Sequence, residues 1–253
     1  MPMDELLVTP EKSVRYACKR GGWTLKEVTL PPTIVMAMPA FMHIFEDRFN
    51  IEEVEKSIIR NHYRKKGTTA SFVTSRIGGP SVALDLEEMI FLGGSTFIHL
   101  GFAGGLHNDM NNDMNLGDIV ITKGVLNETG IPRLYGIDDS FIPSDYELTE
   151  KLIDAARKKG VPVKTGVHWC TDAPYRETKG KVTKYVKEGA LCVEMEGSAL
   201  FAVSMFHNVR AAAVYVITDI IKQDGWHQAW HAEEIEEGCK TVVDFVSSFI
   251  GIP

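Results

Sequence analysis

Residues 211–219 read Ala211-Ala212-Ala213-Val214-Tyr215-Val216-Ile217-Thr218-Asp219, an apolar run that ends on a hydroxyl and a carboxylate. A run this short and this uniformly apolar predicts a strand buried on both faces, because a half-exposed strand would alternate. Working outward, similar short runs occupy residues 33–37, 70–75, 95–100, 118–122 and 163–169. Between them, residues 81–91, 145–159, 195–207 and 233–250 carry apolar side chains at three- and four-residue spacing, which predicts helices. Gly93, Gly160 and Gly251 stand where those helices should end. Strands that alternate with helices predict an α/β fold: a mixed β-sheet flanked by helices, three layers in all.

The chain has 253 residues, enough for one large domain or two small ones. No Pro/Gly/Ser-rich linker divides it, so the expectation is a single domain over 1–253, with residues 1–32 as an N-terminal extension packed on it. The stretch from His107 to Asn115 holds two copies of a tetrad, but its polar composition predicts a loop rather than a repeat. At 44% hydrophobic and 24% charged residues, the composition is that of a folded, water-soluble protein. Twenty-seven basic against 34 acidic residues leave a net charge of −7, with no long basic run, which argues against nucleic acid as a partner. Cys18, Cys170, Cys192 and Cys239 lie far apart with no Cys-x-x-Cys pair, as expected of reduced thiols. The N-terminus lacks the basic and apolar regions of a signal peptide, and no apolar run approaches the ~20 residues that span a bilayer. The expected setting is the cytoplasm, with no membrane partner.

Four segments join a predicted strand end to glycines or acids, the place where open α/β sheets bind ligands. Arg76-Ile77-Gly78-Gly79-Pro80-Ser81 has glycines that admit a close ligand and a proline suited to a first helical turn, although a plain tight turn reads the same way. Leu100-Gly101-Phe102-Ala103-Gly104-Gly105-Leu106 reads mostly as a turn and lacks the dinucleotide-binding spacing. In Val193-Glu194-Met195-Glu196-Gly197, two acids open a helix. They either serve its dipole or accept hydrogen bonds from vicinal sugar hydroxyls. Thr218-Asp219 closes the apolar strand. A carboxyl there is open to desolvation, which would make it a proton donor near neutral pH, and a capping aspartate would look the same.

Taken in order, Gly78-Gly79-Pro80-Ser81, Gly101 to Gly105 followed by Leu116-Gly117-Asp118-Ile119-Val120, Val193-Glu194-Met195-Glu196, and Thr218-Asp219 resemble the nucleoside phosphorylase family of purine nucleoside phosphorylases, uridine phosphorylases and nucleosidases. The resemblance runs from about Thr33 onward. It implies cleavage of an N-glycosidic bond through an oxocarbenium-like transition state, with phosphate as co-substrate and no cofactor. It assigns Glu196 and Asp219 as the catalytic pair, the former on the ribose hydroxyls and the latter at N7 of a departing purine. Met195, Glu194, Gly104, Phe102 and Thr218 become substrate-binding positions, and Tyr175, in Cys170-Thr171-Asp172-Ala173-Pro174-Tyr175-Arg176-Glu177-Thr178, becomes the residue that stacks on the base. The glutamine and arginine with which uridine phosphorylases read uracil are not found at their spacing, so a purine nucleoside is expected. A homo-oligomer, dimer or hexamer, is the implied assembly.

The chain departs from the family at the phosphate end. Phe41 and His99 stand where its phosphorylases carry arginines, and Phe102 stands in place of a hydroxyl donor. Arg60, Arg76, Gly78, Arg176 and His99 are the candidates to hold phosphate instead. The glutamate with which nucleosidases activate water is also replaced, the chain reading Phe41-Met42-His43 there. Hydrolysis, or nucleoside binding without turnover, are the alternatives. His227 and His231 stand four apart and would share a helical face, but no third ligand is indicated, so no metal is expected. Trp226 and His227 are candidates for a lid over the base.

Overall fold

The computed structural model describes residues 6–106, 113–222 and 224–252. In chain order these form α1 (Pro10–Gly21), α2 (Leu25–Val28), β1 (Thr33–Ala37), α3 (Pro39–Phe49), β2 (Glu52–Glu53), β3 (His62–Arg64), β4 (Ala70–Thr74), α4 (Gly79–Phe91), β5 (Thr96–Leu106) and β6 (Ile119–Asn127). There follow α5 (Ile131–Leu134), β7 (Phe141–Pro143), α6 (Tyr146–Lys158), β8 (Lys164–Cys170), α7 (Lys179–Lys187), β9 (Ala190–Glu194), α8 (Gly197–Phe206), β10 (Arg210–Ile221), β11 (Trp226–Gln228) and α9 (Glu233–Phe249). The predicted α/β architecture is present, a mixed sheet with helices on both sides.

Alternation along the buried strands divides the core. Ile34 and Met36 of β1 and Ala213 and Tyr215 of β10 face one apolar cluster, with Val14 of α1, Leu86 of α4 and Leu200 of α8. Their neighbours Val35, Ala37, Ala212 and Val214 face the other, with Phe45 of α3, Leu152 of α6 and Val246 of α9. Each strand is therefore apolar at every position because each face has its own helical layer. The N-terminal segment packs on the first layer: α1 contacts α4, and the Leu30 N–H donates to the Leu92 carbonyl.

The strand pairings close into a ring. β10 runs parallel to β5, β5 antiparallel to β9, β9 parallel to β8, β8 parallel to β6, and β6 antiparallel to β10. From β5 the sheet continues outward through β1, β4, β3 and β2, while β11 pairs with β10 and β7 with β6.

Two sequence readings need correction. The glycine-rich stretch after Leu100 is not a turn, since β5 continues through it to Leu106. Its glycines answer crowding rather than chain reversal: a Cβ on Gly104 would lie 2.9 Å from Asp219 Oδ2, and one on Gly105 3.0 Å from Ile217. Likewise Trp226–Gln228 is a strand, so His227 and His231 do not share a helical face. The tetrads at 107–115 fall largely outside the described residues. No described helix is long and apolar enough to cross a membrane, and all four cysteines are free and buried.

Candidate active site

A cavity of about 420 Å³ opens beyond the C-terminal ends of the central strands, large enough for a nucleoside-sized ligand. Its wall takes Met38 from the end of β1, Phe102 and Gly104 from β5, Tyr175 and Glu177 from the loop after β8, Glu194 to Glu196 from the end of β9, and Thr218 and Asp219 from β10. All eight residues assigned to catalysis or substrate binding by the sequence are thus brought together: Phe102, Gly104, Tyr175, Glu194, Met195, Glu196, Thr218 and Asp219.

Glu196 is the N-cap position of α8, and its first turn would leave backbone N–H groups unpaired. The Glu194 side chain fills that need. Its Oε2 accepts from the N–H groups of Glu196 and Gly197, each at 2.8 Å, and from the Tyr215 hydroxyl at 3.0 Å. Across the cavity mouth, Gly78 holds a φ of 95°, a conformation that favours glycine, and its N–H donates to Glu196 Oε1 at 2.6 Å. The two loops, 118 residues apart in the chain, are pinned at the carboxylate itself.

Both acids of this pair are buried, with opposite outcomes. Burial pushes Glu194 up, but the His168 imidazole 3.0 Å from its Oε1, together with its hydrogen bonds, outweighs this and holds it well below the usual carboxylate range. Burial and the adjacent Glu194 charge push Glu196 up to about 8, against the opposing Gly78 hydrogen bond.

Asp219 is placed by an irregularity. The β10–β5 register shifts between Ile217 and Asp219, and the extra residue swings Asp219 over Gly104. The carboxylate accepts from the Thr218 hydroxyl at 2.9 Å and from the Trp226 indole N–H at 2.6 Å. Trp226 and Trp230 line the same end of the cavity. Sequence reasoning passed over Glu177 as a functional acid. It lines the cavity, and burial plus the charges of Asp219 and Glu128 push it up to about 7. No pattern within the loop after β8 distinguished it from a solvated charge.

None of the five residues proposed to hold phosphate lines the cavity. Arg76 turns outward to Asp85, 2.5 Å away, and Arg60 and Arg176 are exposed. His99 is fully buried in the middle of β5 against Ser75 Oγ at 3.0 Å, and burial pushes its pKa down to about 4, so it is a neutral core imidazole. Gly78 serves Glu196 instead. At the place of the expected guanidinium and hydroxyl, the Phe41 and Phe102 rings stack with centroids 5.1 Å apart. Among the described residues the cavity wall contains no arginine, lysine or histidine.

The family model of the phosphorylase superfamily matches residues 33–250, nearly the whole of the folded unit just described. The chain belongs to the phosphorylase superfamily. Within the superfamily it is 28% identical over 179 residues to a guanosine phosphorylase of Halorubrum lacusprofundi, covering 70% of this chain and 72% of the relative. It is 32% identical over 161 residues to a uridine phosphorylase of Treponema pallidum (59% and 61% of the two chains). It is 29% identical over 158 residues to a DeoD-type purine nucleoside phosphorylase of Bacillus cereus (62% and 66%). The last two alignments therefore span under two thirds of those relatives. Among solved structures, purine nucleoside phosphorylase from Toxoplasma gondii in complex with immucillin-H superposes with a TM-score of 0.76 over 99% of this chain and 97% of that one. At 16% identity this superfamily member shares the fold.

Proposed function

We propose that the chain is a nucleoside phosphorylase that cleaves the N-glycosidic bond of a ribonucleoside, purine by preference, to free base and ribose 1-phosphate. The observation that carries this reading is the convergence of Glu196 and Asp219 on one cavity, with Met195 beside the first and Tyr175 in the loop facing the second. In the ionised form Glu196 accepts from the 2′ and 3′ hydroxyls and fixes the sugar. As the bond from the anomeric carbon to the base nitrogen breaks, its electron pair passes into the purine, and Asp219 stabilises that charge at N7 by a hydrogen bond or a proton. A phosphate oxygen then forms the new bond to the anomeric carbon. The relatives named for guanosine and purine nucleosides support the purine assignment. We place the enzyme in the cytoplasm as a homo-oligomer, with a neighbouring copy supplying a cation for phosphate, since the described residues of this wall include none.

A second reading is hydrolysis of the same bond. It is favoured by one observation, the Phe102 ring, stacked on the buried Phe41, in a wall that among the described residues has no basic side chain. The test incubates a panel of nucleosides with and without phosphate and measures free base by chromatography. Release that requires phosphate supports phosphorolysis, and equal release without it supports the hydrolase. Binding without turnover in either buffer overturns both.

A further inference from the structure

His168 has no part in the mechanism above, yet it is fully buried directly behind the sugar-binding end of the cavity. Its Nδ1 lies 2.7 Å from Thr122 Oγ1, and that hydroxyl donates to the Gly124 carbonyl at 2.8 Å. With the threonine proton so used, Nδ1 is the donor to Thr122. Nε2 is then left facing Glu194 Oε1 at 3.0 Å. Neither of these two atoms has another hydrogen-bond partner among the described residues, so each depends on the other for compensation. A Cβ on Gly197 would lie 2.3 Å from Nε2, so the imidazole occupies space that only a glycine at the start of α8 leaves open.

We infer that His168, through Glu194, is a positioning residue for Glu196, forming with Glu194 a buried imidazole–carboxylate contact that anchors the Glu196–Gly197 backbone and sets the charge state of the carboxylate that grips the sugar. The Glu194 carboxylate holds the backbone N–H of Glu196 and stands as a fixed negative charge behind its side chain, and His168 keeps that charge in place. The titratable groups packed around this end are His168 and Cys170 from β8, Cys192 and Glu194 from β9, Tyr215 from β10 and His99 from β5. Burial pushes Cys170, Cys192 and Tyr215 upward and His99 downward, so all four are neutral near pH 7. Glu194 is left as the charge that Glu196 feels from behind, with the His168 imidazole against its far oxygen.

This inference rests on the reading of Glu196 as the sugar-binding carboxylate, and its test separates the two. In the full-length enzyme, the acid limb of kcat/KM against pH is measured for the native protein and for Glu194→Gln, His168→Gln, Gly197→Ala and the Glu194→Gln/His168→Gln double variant, with thermal melting alongside. Glu194→Gln keeps an oxygen for the two backbone donors but removes the charge, so the acid-limb midpoint should fall by about one pH unit or more. His168→Gln should raise KM for the nucleoside about tenfold with a smaller change in kcat, and the double variant should recover most of that loss. Gly197→Ala, which displaces the imidazole without removing an ionisable group, should mimic His168→Gln. Unmoved midpoints and additive effects, with only the melting temperature altered, would overturn the inference even if a variant is destabilised. Full activity in Glu196→Gln would instead sink the functional reading on which the inference rests.

Discussion

The two ends of the cavity were built by different means. At the sugar and base end, acids are held by backbone N–H groups, a β-bulge and a glycine cradle, so their positions follow from the local chain. At the end where phosphate would sit, Phe102 lines the cavity with the buried Phe41 ring stacked behind it, while Arg76 turns to Asp85 and Arg60 and Arg176 are exposed. On the proposed reading, leaving-group activation and sugar binding rest on acids that this chain fixes itself, whereas the described wall offers no basic side chain to an anionic acceptor.

The largest effect should come from the base end. Asp219→Asn keeps the shape and the acceptor oxygen but removes the proton and the charge, and kcat should fall about 10³-fold with KM changed little. Steady-state kinetics on guanosine or inosine measure this. A loss confined to KM would break the contrast, because Asp219 would then be a binding residue like the rest of the wall. Glu196→Gln should come next, with kcat/KM down about 10²-fold, since two charge-assisted hydrogen bonds to the sugar are weakened at ~1.5 kcal/mol or more each.

How much of this was legible beforehand also divides along that line. The long buried strands and the four predicted helices were readable because their hydrophobic periods are strong, whereas Glu196 and Asp219, whose places at element ends also fit a dipole or capping role, were singled out by the ordered motifs that resemble the family. β2, β3, β7 and β11 are two or three residues long, and no period fits in so few. α3 was missed although Pro39 stands in its first turn, because Phe41, Met42 and Phe45 gave little contrast against the polar positions between them. The Gly101–Gly105 run was misread because its glycines are required by Asp219, Ile217 and Tyr215, contacts made more than 100 residues away. Charged side chains at the phosphate end were the least legible, because the direction an exposed arginine takes depends on a partner such as Asp85 that no local pattern reveals.

A smaller effect is expected at the apolar end. Phe102→Thr breaks the ring stack with Phe41 and places a hydroxyl in the cavity wall, restoring the type of donor that resemblance to the family's phosphorylases leads one to expect there. If phosphate is the acceptor, its apparent KM should drop about tenfold, one hydrogen bond to a charged group. Release of base in phosphate-free buffer that is unaffected by the substitution would sharpen the contrast the other way, toward water.

The smallest readout concerns stability, and it opposes the activity change in the same variant. Because burial and Glu194 push Glu196 up to about 8, the folded chain holds a proton there that the unfolded chain, near 4.5, releases. Between those values the native state binds more protons, so the contribution of this group to stability is fully present below pH 4.5 and is lost as pH rises through 8. Glu196→Gln removes that loss. It should raise the melting temperature by several degrees at pH 8, on the order of 2 kcal/mol, and by almost nothing at pH 4.5. A substitution that cripples turnover while stabilising the fold only at alkaline pH would mean that this carboxylate is kept where its charge is costly until a sugar arrives. Equal melting temperatures for the two proteins across that range would mean that the empty cavity already compensates the charge, and the acid-lined end would then be no more strained than the phenylalanine-lined one.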